Sequence, residues 1–295
     1  MKIYKAKTCC YALLMTTGLM LSAAAVGADS IGKDETVAAS LPDSLKASGT
    51  LRIAIPDVGK PLAYKEGGEL KGMDVELAKG VAAVMGLKAD VHLVPFAAAL
   101  AGLQAKKYDI SYGEFYVTAE RLKVADFVTN WQDYSSFLVA KSKQFKPKTL
   151  KEICGRKVGA MAGSAELATL KSAVDKCSDQ APVISAFASV NQAILALNSH
   201  RVDGVLINRG GAQEAIHMDA GLDASGEIGG GPTATAVARN DDSEKMLTAL
   251  KAAYDALIKD GAYMQILKNN DTAYGAVKSA EIYKQGSTPP SYSFN

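Results

Sequence analysis

Apolar and polar positions alternate over residues 51–55, the pattern of a half-buried strand. After a loop rich in Gly and Pro at 57–68, Asp74 opens a helix whose apolar residues Val75, Leu77, Ala78, Val81, Ala82 and Met85 recur at helical spacing, and Gly86 stops it. A strand at 91–94, a helix at 97–105 and a short strand at 108–111 follow, and the last runs into the polar cluster Gly113, Glu114 and Tyr116. Strands alternating with helices imply a parallel sheet, and polar side chains gathered past the C-terminal end of a strand lie where open α/β sheets bind ligands. Residues 29–48 are small, polar and unpatterned, and read as a flexible leader.

The pattern then repeats. Residues 101–109 and 195–203 share an apolar helical end, a basic turn and an aspartate entering a strand, Asp109 and Asp203. Five positions beyond each aspartate stands a polar residue at a strand end, Glu114 and Asn208, which suggests two similar lobes. Strand-like crossings at 135–140 and 233–238, a basic linker at 141–151 with Pro147, and the run Gly229, Gly230, Gly231 as hinge or turn place one lobe as an insertion in the other. The expected division is lobe 1 over 49–136 and 236–295, and lobe 2 over 137–235. The helix at 245–258 turns Met246, Leu250, Ala253, Leu257 and Ile258 to a core, and the tail after Ala273 reads as surface wrapping.

The 295 residues are 22% charged and 48% apolar, an ordinary globular composition. The first 28 combine a basic start, an apolar run and the small-residue ending Val26-Gly27-Ala28, a secretory signal cleaved after Ala28. Its removal takes Lys2, Lys5 and Lys7 and moves the formal charge from +2 to −1, which calls for no nucleic acid. The same cleavage takes Cys9 and Cys10 and leaves Cys154 and Cys177. In an exported chain such a pair suggests a disulfide, with two buried thiols as the alternative.

Enzyme constellations are missing. His92, His200 and His217 have no Cys or His at metal-ligand spacing, and there is no nucleophile elbow, P-loop or C-x-x-C pair. No metal, cofactor or catalytic residue is expected. Trp131 and Met161 read as core.

The segments GTLRIA (49–54), LKGMDVELAKGVAAVMG (70–86), LAGLQAKKYDI (100–110), TAERLKVADF (118–127), RKVGAMAGSAE (156–166), RVDGVLIN (201–208) and KDGAYMQIL (259–267) together resemble periplasmic polar-amino-acid-binding proteins, solute-binding protein family 3. The resemblance implies an α/β, two-lobe periplasmic-binding-protein fold of type II, with a ligand cleft between the lobes and a two-strand hinge. It implies a periplasmic receptor of an ABC importer, monomeric, that closes on an amino acid or similar small polar carboxylate and presents it to an inner-membrane permease. Arg121 matches the family arginine that grips the substrate carboxylate, a planar fork suited to bidentate contact, and Ser164 at a helix start completes that site. Its bland counterpart is an N-cap serine. Departures concern the cation: Asn208 stands where many relatives carry an aspartate for the substrate ammonium, and Glu114 stands in the first-lobe loop. Glu114 is expected either to have taken over that role or to be a solvated bystander. Gly113, Tyr116 and Tyr64 complete the expected lining. The competing class is an enzyme on the same fold, a cyclohexadienyl or arogenate dehydratase, with Glu114 as its general acid.

Overall fold

The computed structural model describes residues 31–178 and 180–292; the expected signal peptide, with Cys9 and Cys10, lies outside the described residues. The segment read as a leader folds instead: α1 (Glu35–Ser40) and α2 (Asp43–Ser48) are two short helices. Val37, Leu41 and Leu45, four residues apart, bury themselves against the core, and Asp34 caps α1 by accepting from the N–H groups of Thr36 and Val37. Six-residue helices are unstable alone, so packing holds them.

β1 (Thr50–Pro56) pairs in parallel with both β4 (Lys88–Val94) and β5 (Ile110–Tyr116), with α3 (Met73–Val84) and α4 (Phe96–Gln104) as crossovers. A hairpin of β2 (Tyr64–Glu66) and β3 (Glu69–Lys71) occupies part of the expected loop. β5 continues through Gly113 and Glu114 to Tyr116 with all seven residues buried, where a turn after Ser111 was expected. Its antiparallel partner β11 (Gly230–Val237) pairs Ala236 with Ser111 and Ala234 with Phe115, so Tyr112, Gly113 and Glu114 form a bulge in β5 opposite the single residue Thr235, with Gly113 and Glu114 both at positive φ (125° and 51°). Gly113 is obligatory here, since a Cβ would stand 2.6 Å from Pro56 Cγ.

The long strand β6 (Asp126–Ala140) joins the two lobes. Its first part pairs with β11 up to Tyr134, and from Ser135 onward it pairs with β9 (Gly204–Asn208) and β10 (Leu222–Ser225). β9 continues in parallel to β7 (Lys157–Met161) and β8 (Val183–Phe187), so the sheet runs β4-β1-β5-β11-β6-β9-β7-β8. Helices α5 (Ala165–Ser172), α6 (Val190–Asn198) and α7 (Arg209–Met218) cover the second half. At the join, Ser135 N–H donates to the Gly229 carbonyl (3.1 Å) and Ile228 N–H to the Ser135 carbonyl (2.7 Å), so the two connections run side by side.

The sequence repeat is a repeat of hydrogen bonds. Asp109 accepts from Arg52 N–H (2.8 Å) through its side chain and donates its own N–H to the Arg52 carbonyl (2.9 Å). Asp203 does the same with Lys157 (2.9 and 2.6 Å). The preceding turns match as well, with Lys106 and His200 left-handed at φ 55° and 57°.

The main core spans the first lobe and one face of the second, with Trp131, Tyr112, Tyr254 and Tyr263 fully buried. On the opposite face of the second lobe Phe137, Ile153, Val158, Leu170, Leu206 and Ile228 anchor a smaller separate core. Beside it Cys154 and Cys177 form a disulfide across 23 positions. After α8 (Ser243–Asp260) and α9 (Ala262–Asn269), the tail adds β12 (Ile282–Tyr283) to β6 and places the Tyr292 ring against Tyr116 at 4.8 Å. The tail is thus built into the first lobe, with Ala280 buried and Tyr292 receiving Val117 N–H.

Candidate functional site

A narrow cleft lies where the C-terminal ends of β5 and β9 face the N-terminus of α5. From the first lobe come Val58, Leu62, Phe96, Gly113, Glu114, Tyr116 and Arg121; from the second come Met161, Ser164, Ala165, Glu166, Val190 and Asn208, with Asp133 on the strand between.

Arg121 opens the single turn Arg121–Lys123, tied down by its N–H donating to Thr118 Oγ1 (3.2 Å). Its guanidinium lies 5.7 Å from the Phe96 ring centroid and 5.3 Å from that of Phe115, which fixes the plane of the fork. One nitrogen donates to the Tyr116 carbonyl (2.8 Å) and another to the Gly163 carbonyl of the second lobe (3.1 Å). A guanidinium has five donors, so most remain for a ligand. Burial pulls its pKa below the ordinary value while nearby Glu166 acts in the other direction; it stays a cation at physiological pH.

Ser164 is buried, and its hydroxyl accepts from Leu167 N–H (3.1 Å). It is therefore an N-cap in this structure, and α5 directs the rest of its N-terminal N–H groups and its dipole at the cleft.

Glu114 occupies the cleft wall but is already bonded. One of its oxygens accepts from Asn130 Nδ2 (3.1 Å), the other from the Thr233 hydroxyl. Behind it Asp74 is fully buried; neither of its oxygens receives a donor, and the group it meets is the Glu114 carboxylate. Two carboxyls in contact can bond only if one keeps its proton. Burial, then the charge of Glu114, pushes Asp74 well above the usual carboxylate range; burial also raises Glu114, against the opposing pull of Asp74, Thr233 and Asn130. Of the two, Asp74 is the one driven furthest toward its protonated form.

Tyr116 donates to the Asp133 carbonyl (3.2 Å), and burial raises its pKa well above the usual tyrosine value. Asn208 lies in the cleft without capping α7, and its side chain bonds to the Asp133 carboxylate. Tyr64 is not brought to this cleft: the β2–β3 hairpin carries it to an outer groove beside Asn191 and Glu214, with the Lys60 ammonium 5.0 Å above its ring. Met161, expected in the core, is buried and lines the cleft, whereas Trp131 is in the core, donating to the Thr272 carbonyl (2.9 Å).

The sequence reading passed over Asp133 and Glu166. Asp133 is 2% exposed, and its Oδ1 accepts from Tyr134 N–H (2.8 Å) and faces Tyr274 (3.5 Å). Burial lifts its pKa well above the usual range, against the Tyr134 bond, with Glu114 and Glu166 adding to the lift. Glu166, in the first turn of α5, accepts from the Ser135 hydroxyl (2.8 Å). The signal for Asp133 was the alternation of β6: Trp131, Asp133, Ser135 and Phe137 occupy its buried phase. An acid in that phase calls for a partner.

Comparison with known proteins agrees with this geometry. The sequence profile of bacterial extracellular solute-binding proteins, family 3, matches residues 51–270. A probable amino-acid ABC transporter-binding protein of Haemophilus influenzae is 26% identical over 86% of this chain and 95% of its own length. The ABC transporter arginine-binding protein 1 of Escherichia coli is 25% identical over 67% of this chain and 80% of its own. Among solved structures, an ancestral arginine-binding protein bound to arginine superposes with a TM-score of 0.70 at 27% identity, covering 75% of this chain and 98% of that one. An ancestral amino-acid-binding protein described as a precursor of cyclohexadienyl dehydratase shares the fold, at 23% identity and a TM-score of 0.68. The chain is a two-lobed α/β solute-binding receptor and belongs to the bacterial extracellular solute-binding proteins of family 3.

Proposed function

We propose that the chain is the periplasmic receptor of an ABC importer, acting as a monomer, and that it closes on one amino acid and delivers it to an inner-membrane permease. The relatives named for amino acids and for arginine support the class of solute and the transporter. The observation that carries the reading is Arg121 opposite the N-terminus of α5, one from each lobe, joined by the bond to the Gly163 carbonyl. A carboxylate between them meets a planar fork on one side and unpaired N–H groups on the other, so it favours the closed arrangement over the open one. Gly113 lets backbone and ligand approach, and Tyr116 holds the cleft wall to the hinge strand.

The enzyme reading is weaker because Glu114, its acid, is held by Asn130 and Thr233, which accounts for both of its oxygens. Among the described residues no helix is long and apolar enough to cross a membrane.

A thermal-shift screen on signal-free protein, stripped of carried-over ligand by partial unfolding, tests the proposal. Amino acids should raise the melting temperature by mass action, and the same acids with the carboxylate amidated should not. Equal shifts with the amides would remove Arg121 from the role; turnover of a bound amino acid to a new product would favour the enzyme.

A further inference from the structure

Three carboxyl groups line the cleft, Glu114, Asp133 and Glu166, and a fourth, Asp74, is buried behind Glu114. Among the described residues none of them forms an ion pair with a lysine, arginine or histidine. A buried carboxylate without a cation is expensive, and two remedies exist: a proton, or a positive charge from outside. Asp74 does not line the cleft, so its remedy is internal, and burial drives it toward its protonated form. Asp133 and Glu166 do line it, from opposite sides of the join, and each keeps an ordered hydrogen bond that fixes its direction, to Tyr134 N–H and to the Ser135 hydroxyl. No group of His, Cys, Asp and Glu among the described residues is placed to hold a metal ion, so an organic cation is the fitting occupant.

Resting on the amino-acid reading above, we propose that Asp133 and Glu166 form the cation seat of this receptor and that its ligand carries a net positive charge, one carboxylate with two cationic groups. The charge balance supports this. Three carboxyls on the cleft wall and Asp74 behind them stand against one guanidinium, Arg121, and burial makes a charge on Asp133 costly until a cation stands beside it. A zwitterion leaves that excess untouched, whereas a dibasic amino acid reduces it. Asn208 acquires a role as well: it supplies no charge, and instead orients Asp133 from the second lobe. The acid that faces the ligand has in effect moved from the end of β9 to the strand that joins the lobes.

The test is calorimetric titration with L-arginine, L-lysine, L-citrulline, L-glutamine and agmatine on the wild type and on Asp133→Asn/Glu166→Gln. L-Citrulline matches L-arginine in shape and lacks the second charge, so L-arginine should bind at least tenfold more tightly. In the double variant that ratio should fall at least tenfold, a change that a purely structural defect, acting on both ligands alike, does not produce. An unchanged ratio, or L-glutamine and L-citrulline binding as well as L-arginine and L-lysine, overturns the cation seat while leaving an amino-acid receptor in place. Agmatine, which lacks the carboxylate, binding as tightly as L-arginine would support the seat and reject the Arg121 clamp. Failure of all five to bind refutes the amino-acid reading and this inference with it.

Discussion

The two lobes are built from the same local device and held together by different means. Each enters its central strand through a left-handed turn and an aspartate that bonds the backbone of the neighbouring strand, Asp109 to Arg52 in one and Asp203 to Lys157 in the other. The first lobe then relies on a broad core around Trp131, Tyr112 and Tyr254 and on chain ends folded back onto it. The second carries a small outer core and a disulfide. Their contributions to the cleft differ likewise, the first lobe supplying Arg121 and Glu114, the second a helix N-terminus, Glu166 and Asn208. The backbone device sets the architecture of a lobe, and burial and charge decide its work.

The sharpest way to break the comparison is Arg121→Ala. Loss of the guanidinium leaves a ligand carboxylate desolvated and unpaired, and binding should weaken by about 3–5 kcal/mol, read by titration. Next comes Cys154→Ser/Cys177→Ser. Opening a loop of this length should cost about 3 kcal/mol in the chain-entropy account, and hydrogen exchange should show the loss concentrated around Leu150, Ile153 and Leu170 rather than around Trp131.

Asp74→Asn sharpens the contrast from the first lobe. A carboxyl whose folded pKa is raised favours the folded state fully below its unfolded pKa, and that advantage is lost as pH rises through the folded value. Asparagine keeps a donor for Glu114 and does not titrate. The variant should melt higher than wild type by about 2–4 °C per kcal/mol gained, with the difference widening from pH 5 to pH 8 in scanning calorimetry. A difference that stays constant from pH 5 to pH 8 would mean Asp74 is already ionised in the fold. The smallest expected effect is Ser164→Ala, about 1 kcal/mol from the lost N-cap at Leu167, with a correspondingly small change in affinity.

The architecture was legible because hydrophobic period and turn chemistry are local. The helix from Asp74, the crossing strands and the Asp109–Asp203 repeat follow from residues close in sequence. The two N-terminal helices were missed although Val37, Leu41 and Leu45 carry helical spacing, because so short a helix forms only against a surface that sequence does not display. The strand beyond Ser111 was missed because Gly113 and Glu114 resemble a turn; they form a bulge instead, and β11, more than a hundred residues away, pairs on both sides of it and carries the strand on. In the cleft, Arg121 and Ser164 were found by their motif, whereas Asp133 sits mid-strand with no motif around it, and Tyr64 was placed by proximity in sequence that the hairpin undoes.

One feature of the architecture bears on how the two lobes are joined. β6 is fifteen residues long and serves both lobes, so at roughly 3.3 Å per residue it is an unbroken ribbon on the order of 50 Å. Between Tyr134 and Ser135 the ribbon changes partners, so each half is sewn into the sheet of one lobe. Asp133 lies near the middle, two residues before Ser135, and a cation seated there would stand at the seam between the two.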